Sequence, residues 1–300
     1  MTLNIRGSIP ALVTPFKNDT IDEEGLRQNV NFQIENGSSA VVTVGTTGES
    51  PTVTPVEHKR INEIVIDEVN GRIPVIAGTG SNSTEEAIEY TKHAADVGAD
   101  AVLLVSPYYN KPTQEGLYQH FKKISETVDI PSILYNIPGR TAVNIEPETI
   151  LKLSKLNNII GIKEAAGSID QVSKILYLLR NNNNNNNNNF VMLSGDDSMT
   201  LPMIALGGAG VISVVANIIP KETSEFVKLC LEGKFDDARK IHYQLLPLIN
   251  AMFVETNPAP VKYAMNELKM PAGNLRLPMV FPNDENKEKI RKALVDFGLM

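Results

Sequence analysis

A lysine stands at the end of an apolar run: Ile159, Ile160, Gly161 and Ile162 lead directly into Lys163 and Glu164. Successive strand side chains alternate faces, so Gly161 and Lys163 share one side and Ile162 and Glu164 the other. A lysine turned inward is desolvated without Glu164 as its immediate ion partner, and burial disfavours the charged form. The neutral amine is then a nucleophile for a ketone, forming a Schiff base. Position alone leaves a solvent-facing strand-end lysine as the competing reading. Tyr135 ends the preceding apolar run, PSILYN. A phenol passes protons if donors lower its pKa, and Thr46 or Thr47 is placed to supply such a bond. Packing is the other use of a tyrosine at that position.

Other candidates are weaker. The loop Gly45-Thr46-Thr47-Gly48-Glu49-Ser50 is either a hydroxyl-bearing catalytic loop or an anion-binding nest of backbone N–H groups. It lacks the lysine after a second glycine that a P-loop requires, and Gly78-Thr79-Gly80-Ser81-Asn82 lacks the third glycine of a dinucleotide fingerprint. His58, His93, His120 and His242 are scattered, with no two at ligand spacing, so no metal is expected. Asp196 and Asp197 would face opposite ways on a strand, and Asp197 is expected to cap the next helix.

The elements that must position these groups recur at intervals of roughly 30 residues, the repeat of a strand–helix unit. Eight short β-branched runs, IPALVTPF, AVVTVG, IPVIAG, AVLLVSP, PSILYN, IIGIKE, FVMLSG and GVISVVAN, alternate with amphipathic segments such as Glu23 to Glu35, Val56 to Val69 and Thr84 to Val97. Continuously apolar strands imply burial on both faces by flanking helices. The alternation predicts an α/β fold, a (β/α)8 TIM barrel, in preference to an open doubly wound sheet, with catalytic groups where strands end and βα loops begin. After residue 233 helical periodicity continues without strands, so the chain divides into a barrel over 1–233 and a small helical appendage over 234–300. Nine asparagines at 181–189 carry no periodicity, so no packed element is expected there, on the barrel face opposite the chemistry.

Composition narrows the function. A chain of 300 residues suffices for one barrel and an appendage. A net charge of −7 without a basic block argues against nucleic acid. No long uncharged apolar stretch predicts a membrane span, and the opening MTLNIRGSIPALVTPF lacks a secretion signal's apolar core. Cys230, the only cysteine, reads as a buried small hydrophobe and fits a reducing cytoplasm.

The motifs GTTGES, SPYYNKP, YNIPGRT, GIKEA, LSGDD, GVISV and ETNPAPVK, in this order, resemble the dihydrodipicolinate synthase and N-acetylneuraminate lyase superfamily. The resemblance implies a lysine-dependent aldolase that needs no cofactor. It would condense pyruvate with L-aspartate 4-semialdehyde to give 4-hydroxy-tetrahydrodipicolinate, in lysine and diaminopimelate biosynthesis. Lys163 would form the Schiff base and Tyr135 act as general acid/base. Thr46 and Tyr109 would complete a proton relay, with Tyr109 reaching a neighbouring subunit's site. Thr47 would hold the pyruvate carboxylate with the backbone of Ile212 nearby, and Arg140 would bind the carboxylate of the second substrate. The implied assembly is a homotetramer, a dimer of dimers. Ser50, His58, Asn82, Glu86 and Tyr108 resemble a lysine effector site, whereas Pro51 and Pro55 depart from the lysine-sensitive bacterial pattern and predict weak inhibition. Glu86 has a second reading as an N-terminal helix acid favoured by the dipole. Two functions compete: a sister enzyme that cleaves or dehydrates sugar acids, which would share Lys163 and Tyr135 but not need Arg140, and a non-catalytic small-molecule-binding barrel.

Overall fold

The computed structural model describes residues 3, 5–181 and 190–300. The eight apolar runs each form a parallel strand: β1 (Gly7–Pro10), β2 (Val41–Thr43), β3 (Val75–Gly78), β4 (Ala101–Val105), β5 (Ser132–Asn136), β6 (Ile159–Glu164), β7 (Val191–Ser194) and β8 (Gly210–Ser213). They run β1-β8-β7-β6-β5-β4-β3-β2, all parallel. A parallel bridge between Ala11 and Val42, with the Leu12 N–H donating to the Val42 carbonyl at 2.9 Å, brings the first and second strands together and closes the ring. The fold is therefore the expected TIM barrel.

Helices α1 (Glu23–Glu35), α2 (Pro55–Val69), α3 (Thr84–Asp96), α4 (Gln114–Thr127), α5 (Pro147–Leu153), α6 (Ile169–Asn181), α7 (Thr200–Ala205) and α8 (Pro220–Leu231) lie between and after the strands. Each of several begins at a side chain that satisfies a free N–H. Asp22 accepts from Gly25, Thr54 forms a capping box with Glu57, and Thr113 accepts from Gly116. The expectation for the asparagine run lies outside the described residues, except that Asn181 closes α6.

Strand alternation separates two cores. Ile9, Ile76, Leu103, Ile133, Leu193 and Ile212 fill the barrel interior. Leu104, Leu134, Ile162 and Met192 face outward onto helices, packing with Leu117, Phe121, Ile150 and Val172. In register, Tyr135 lies beside Lys163 and Lys163 beside Leu193, so the lysine shares the interior row while Ile162 faces the helices.

Beyond α8, among the described residues, the chain forms only helices: α9 (Phe235–Ala251), α10 (Ala259–Glu267) and α11 (Asp284–Phe297). Leu245, Leu248, Val261, Ala264 and Leu294 share one apolar cluster with Phe226, Val227 and Cys230 of α8. The buried Cys230 thiol is pushed up to about 11 by burial, as an inert core residue should be. A two-stranded hairpin, Phe16–Lys17 with Thr20–Ile21, was not expected. Its turn residues Asn18 and Asp19 both have positive φ, as a primed hairpin turn requires. From it Phe16 bridges to Gly273 in the C-terminal region.

Candidate active site

At the C-terminal ends of β5 and β6 the two central side chains lie together inside the barrel. The Lys163 Nζ sits 4.2 Å from the centre of the Tyr135 ring, and the residues are 6% and 5% exposed. No hydrogen bond or ion pair holds Nζ among the described residues. Burial lowers its pKa to about 7; the negative charge of Asp197 opposes that shift and the positive charge of Arg140 adds to it. Glu164 faces away, as alternation predicts. It accepts from the Asn136 amide at 3.0 and 3.1 Å, the Ala166 N–H at 2.7 Å and the Gln171 amide at 3.2 Å.

The Tyr135 phenol is pushed up, not down, to about 12. Burial is the dominant cause; a hydrogen bond with Thr46 and the charge of Arg140 oppose it without prevailing. Near neutral pH the ring therefore keeps its proton, held more tightly than in a free phenol.

The Gly45–Ser50 loop follows β2. Its N–H groups at Gly48, Glu49 and Ser50 bond to the loop's own carbonyls at Gly45, Thr46 and Gly45, which leaves those three unavailable to an anion and weighs against a nest. Thr46 and Thr47 take different partners: Thr46 reaches Tyr135, while the buried Thr47 hydroxyl accepts from the Asn257 amide at 3.0 Å. Asn257 also accepts, through its backbone carbonyl, from the Arg140 guanidinium at 2.8 Å. The short helical turn Pro138–Thr141 after β5 carries Arg140, exposed at the mouth of the barrel. Ile212, 1% exposed, lies on β8 in the interior cluster.

The interior thus brings together Lys163, Tyr135 and Thr46, with Thr47 and Arg140 linked through Asn257. It does not include Tyr109. That residue is 90% exposed, with φ of 71°, in the loop after β4. The same loop is braced to the β3 loop: the Asn82 amide donates to the Tyr108 carbonyl at 3.2 Å and the Asn110 amide to the Asn82 carbonyl at 2.8 Å. Beside it, His58 stacks on Tyr90 at 4.0 Å, and burial pushes the imidazole down to about 4. Glu86, in the first turn of α3, accepts from the Ser81 hydroxyl. Ser50 lies in the turn Ser50–Thr52.

Three contributors were missed. Asn257 lies 210 residues from Thr47, a pairing no local pattern encodes. Gly195 borders the lysine: a Cβ there would fall 2.7 Å from the Ala165 Cβ and 3.2 Å from the Lys163 Cε, so only glycine leaves the stem its room. Asp197 is not the expected cap. Asp196 caps the following turn by accepting from the Ser198 N–H at 2.8 Å. Asp197, the first residue of that turn, instead accepts from the Val214 and Val215 N–H groups at 2.9 and 3.2 Å. Among the described residues no cluster of His, Cys, Asp and Glu could hold a metal ion, and no helix is long and apolar enough to cross a membrane.

Comparison with known proteins adds the following. The sequence profile of the dihydrodipicolinate synthetase family matches residues 4–296. A Methanocaldococcus jannaschii protein named 4-hydroxy-tetrahydrodipicolinate synthase is 54% identical over 296 residues, covering 98% of this chain and 99% of that protein. The crystal structure of a chloride-inhibited dihydrodipicolinate synthase from Acinetobacter baumannii, complexed with pyruvate, is 43% identical with a TM-score of 0.95, covering 99% of this chain and 100% of that one. The crystal structure of the Cyanidioschyzon merolae enzyme with lysine bound is 40% identical with a TM-score of 0.93, covering 98% and 99%.

Proposed function

Because the chain belongs to the dihydrodipicolinate synthetase family, we propose that it is a 4-hydroxy-tetrahydrodipicolinate synthase that condenses pyruvate with L-aspartate 4-semialdehyde through a Schiff base on Lys163. The observation that carries the residue assignment is the buried amine of Lys163, lowered to about 7 and lying over Tyr135 with no hydrogen-bonded carboxylate among the described residues. Such an amine is substantially neutral at physiological pH and able to attack a ketone.

Lys163 Nζ attacks C2 of pyruvate, and the hydroxyl of the resulting carbinolamine leaves as water with a proton from Tyr135. The iminium withdraws electrons from C3, whose methyl loses a proton to the Tyr135 phenolate to give an enamine. Thr46 connects Tyr135 to the rest of the relay, and Tyr109 serves the same relay in a neighbouring subunit of a homotetramer. The enamine carbon attacks the aldehyde carbon of the second substrate, and the aldehyde oxygen takes up a proton from Tyr135. That substrate's amine then attacks C2, closes the ring and expels Lys163. One water is lost overall, which makes the enzyme a carbon–oxygen lyase, and the lysine serves as the electron sink. Thr47, with the Ile212 backbone, receives the pyruvate carboxylate, and Arg140 receives the carboxylate of the semialdehyde.

Incubation with pyruvate and borohydride followed by peptide mass mapping tests the assignment. Trapped pyruvate on Lys163, absent from Lys163→Ala, is the expected result; a label on another lysine would sink it. The sister reading, cleavage of a sugar acid, keeps Lys163 and Tyr135. Side-by-side assay of semialdehyde condensation and sugar-acid cleavage separates them, and Arg140→Ala should harm condensation more than trapping.

We further propose that the protein works in the cytoplasm and that lysine binds weakly near Ser50, His58, Asn82, Glu86 and Tyr108. His58 stacks on Tyr90, the Asn82 amide donates to the Tyr108 carbonyl, and the Tyr90 phenol is pushed up by burial and by the Glu86 carboxylate. Residues 234–300 form the helical appendage of the barrel over 1–233.

A further inference from the structure

The described residues contain one ion pair that is wholly removed from water. Lys262 of α10 and Glu49 of the β2 loop meet at 2.7 Å, with side chains 0% and 1% exposed. The Lys262 ammonium also donates to the Thr14 carbonyl at 3.1 Å and the Asn274 carbonyl at 2.6 Å, so its three protons are all engaged. The second Glu49 oxygen accepts from the Arg276 N–H at 3.1 Å. Both cations lie over the Phe16 ring, Lys262 4.5 Å and Arg276 4.2 Å from its centre. Glu49 itself sits in the left-handed region, with φ of 57°, where a non-glycine residue stays only when its surroundings hold it. Its backbone N–H donates to the Thr46 carbonyl at 3.1 Å, and the Thr14 hydroxyl fastens the Gly48 carbonyl at 2.7 Å.

A buried ion pair contributes less to stability than a well-packed apolar pair of similar volume, so stability alone is a poor account of this arrangement. What the pair supplies is a fixed location for the residue that follows Thr46-Thr47-Gly48. We propose that Glu49 and Lys262 are positioning residues: their ion pair anchors the threonine loop to the C-terminal helices and holds Thr46 against Tyr135. The proposal rests on the Schiff-base reading above. Lys163 stands on β6 in the sheet and needs no such anchor, so the two halves of the pyruvate reaction should respond differently. Attack by the amine and loss of water depend on Lys163 and Tyr135, both held in the sheet on β6 and β5; the later movement of a methyl proton through the relay depends on the loop.

The experiment uses the full chain and two readouts without the second substrate: borohydride trapping of pyruvate, and exchange of pyruvate methyl protons for solvent deuterium followed by NMR. The double variant Glu49→Gln/Lys262→Met removes both charges and so leaves no lone ion buried. We expect it to fold, to trap pyruvate within about threefold of wild type, and to exchange methyl protons about 10–100-fold more slowly, as a displaced catalytic group would cause. Glu49→Asp keeps the charge and shortens the tether by one methylene, and decides the matter if the double variant does not fold. A folded variant that exchanges at the wild-type rate overturns the proposal. So does a parallel fall of both readouts in step with the folded fraction. Wild type that neither traps nor exchanges would instead overturn the Schiff-base reading.

Discussion

A burial that lowers the pKa of Lys163 from 10.5 to about 7 is also a cost to the fold, and its sign can be worked out. The unfolded chain binds this proton more tightly than the folded one, so the penalty is complete below pH about 7. It shrinks as pH rises towards 10.5 and is gone above that. Lys163→Met should therefore be inactive yet more stable near pH 7, by about 4 kcal/mol if the whole shift is realised. Denaturant unfolding of both proteins at pH 7 and pH 10.5 checks this: an advantage that does not shrink at the higher pH would refute the buried-amine account. Asp197 acts on the same group in the opposite sense. Its charge favours the ammonium, so Asp197→Asn should move the midpoint of the trapping rate against pH to a lower value. An unmoved midpoint would mean that Asp197 is already neutral, the direction in which burial pushes it. An apolar strand ending in lysine singled out Lys163 without fixing which way it faces, and the GIKEA motif, not its position, selected the inward reading. Asp197 was not legible, since its partners at Val214 and Val215 depend on how β7 and β8 come to adjoin.

Among the elements, the strands were the most readable and the loops least so. All eight strands announced themselves by β-branched runs, and α1 spans the anticipated Glu23–Glu35. The Phe16–Lys17 and Thr20–Ile21 strands were invisible because two residues cannot display a period of two. At the β2 and β5 ends the sequence offered Thr46 or Thr47 as a partner for Tyr135 without choosing between them: Thr46 takes Tyr135, and Thr47 takes Asn257, which was not anticipated. That division predicts different defects. Thr46→Val and Tyr135→Phe should each slow turnover by about 10²–10⁴-fold with the fold intact, as loss of a proton carrier does. Thr47→Val should instead raise the pyruvate KM more than it lowers kcat. Steady-state kinetics with circular dichroism would show it, and equal losses in both variants would merge the two roles.

On the scale of the whole molecule, two surfaces look beyond the single chain. Tyr109 stands away from its own barrel, and the proposed assembly gives it a neighbour's site to complete. Mixing the impaired Tyr109→Phe with inactive Lys163→Ala under subunit exchange should restore part of the activity, since hybrids contain one intact site. No recovery after demonstrated exchange would count against sharing. Lysine should inhibit weakly, through Glu86; titration of wild type and Glu86→Ala tests this, and tight inhibition or an unaltered response would end the proposal. The ring also needs neighbours that are far apart in the chain, Gly7 to Pro10 lying against Gly210 to Ser213. During synthesis the chain emerges at about 5–20 residues per second, so the first strand must wait on the order of ten seconds or more for the last. Throughout that interval the barrel has two open edges, each able to pair with another nascent chain. Growth on a crowded polysome is therefore when this protein is most exposed to aggregation, well before any finished molecule could unfold.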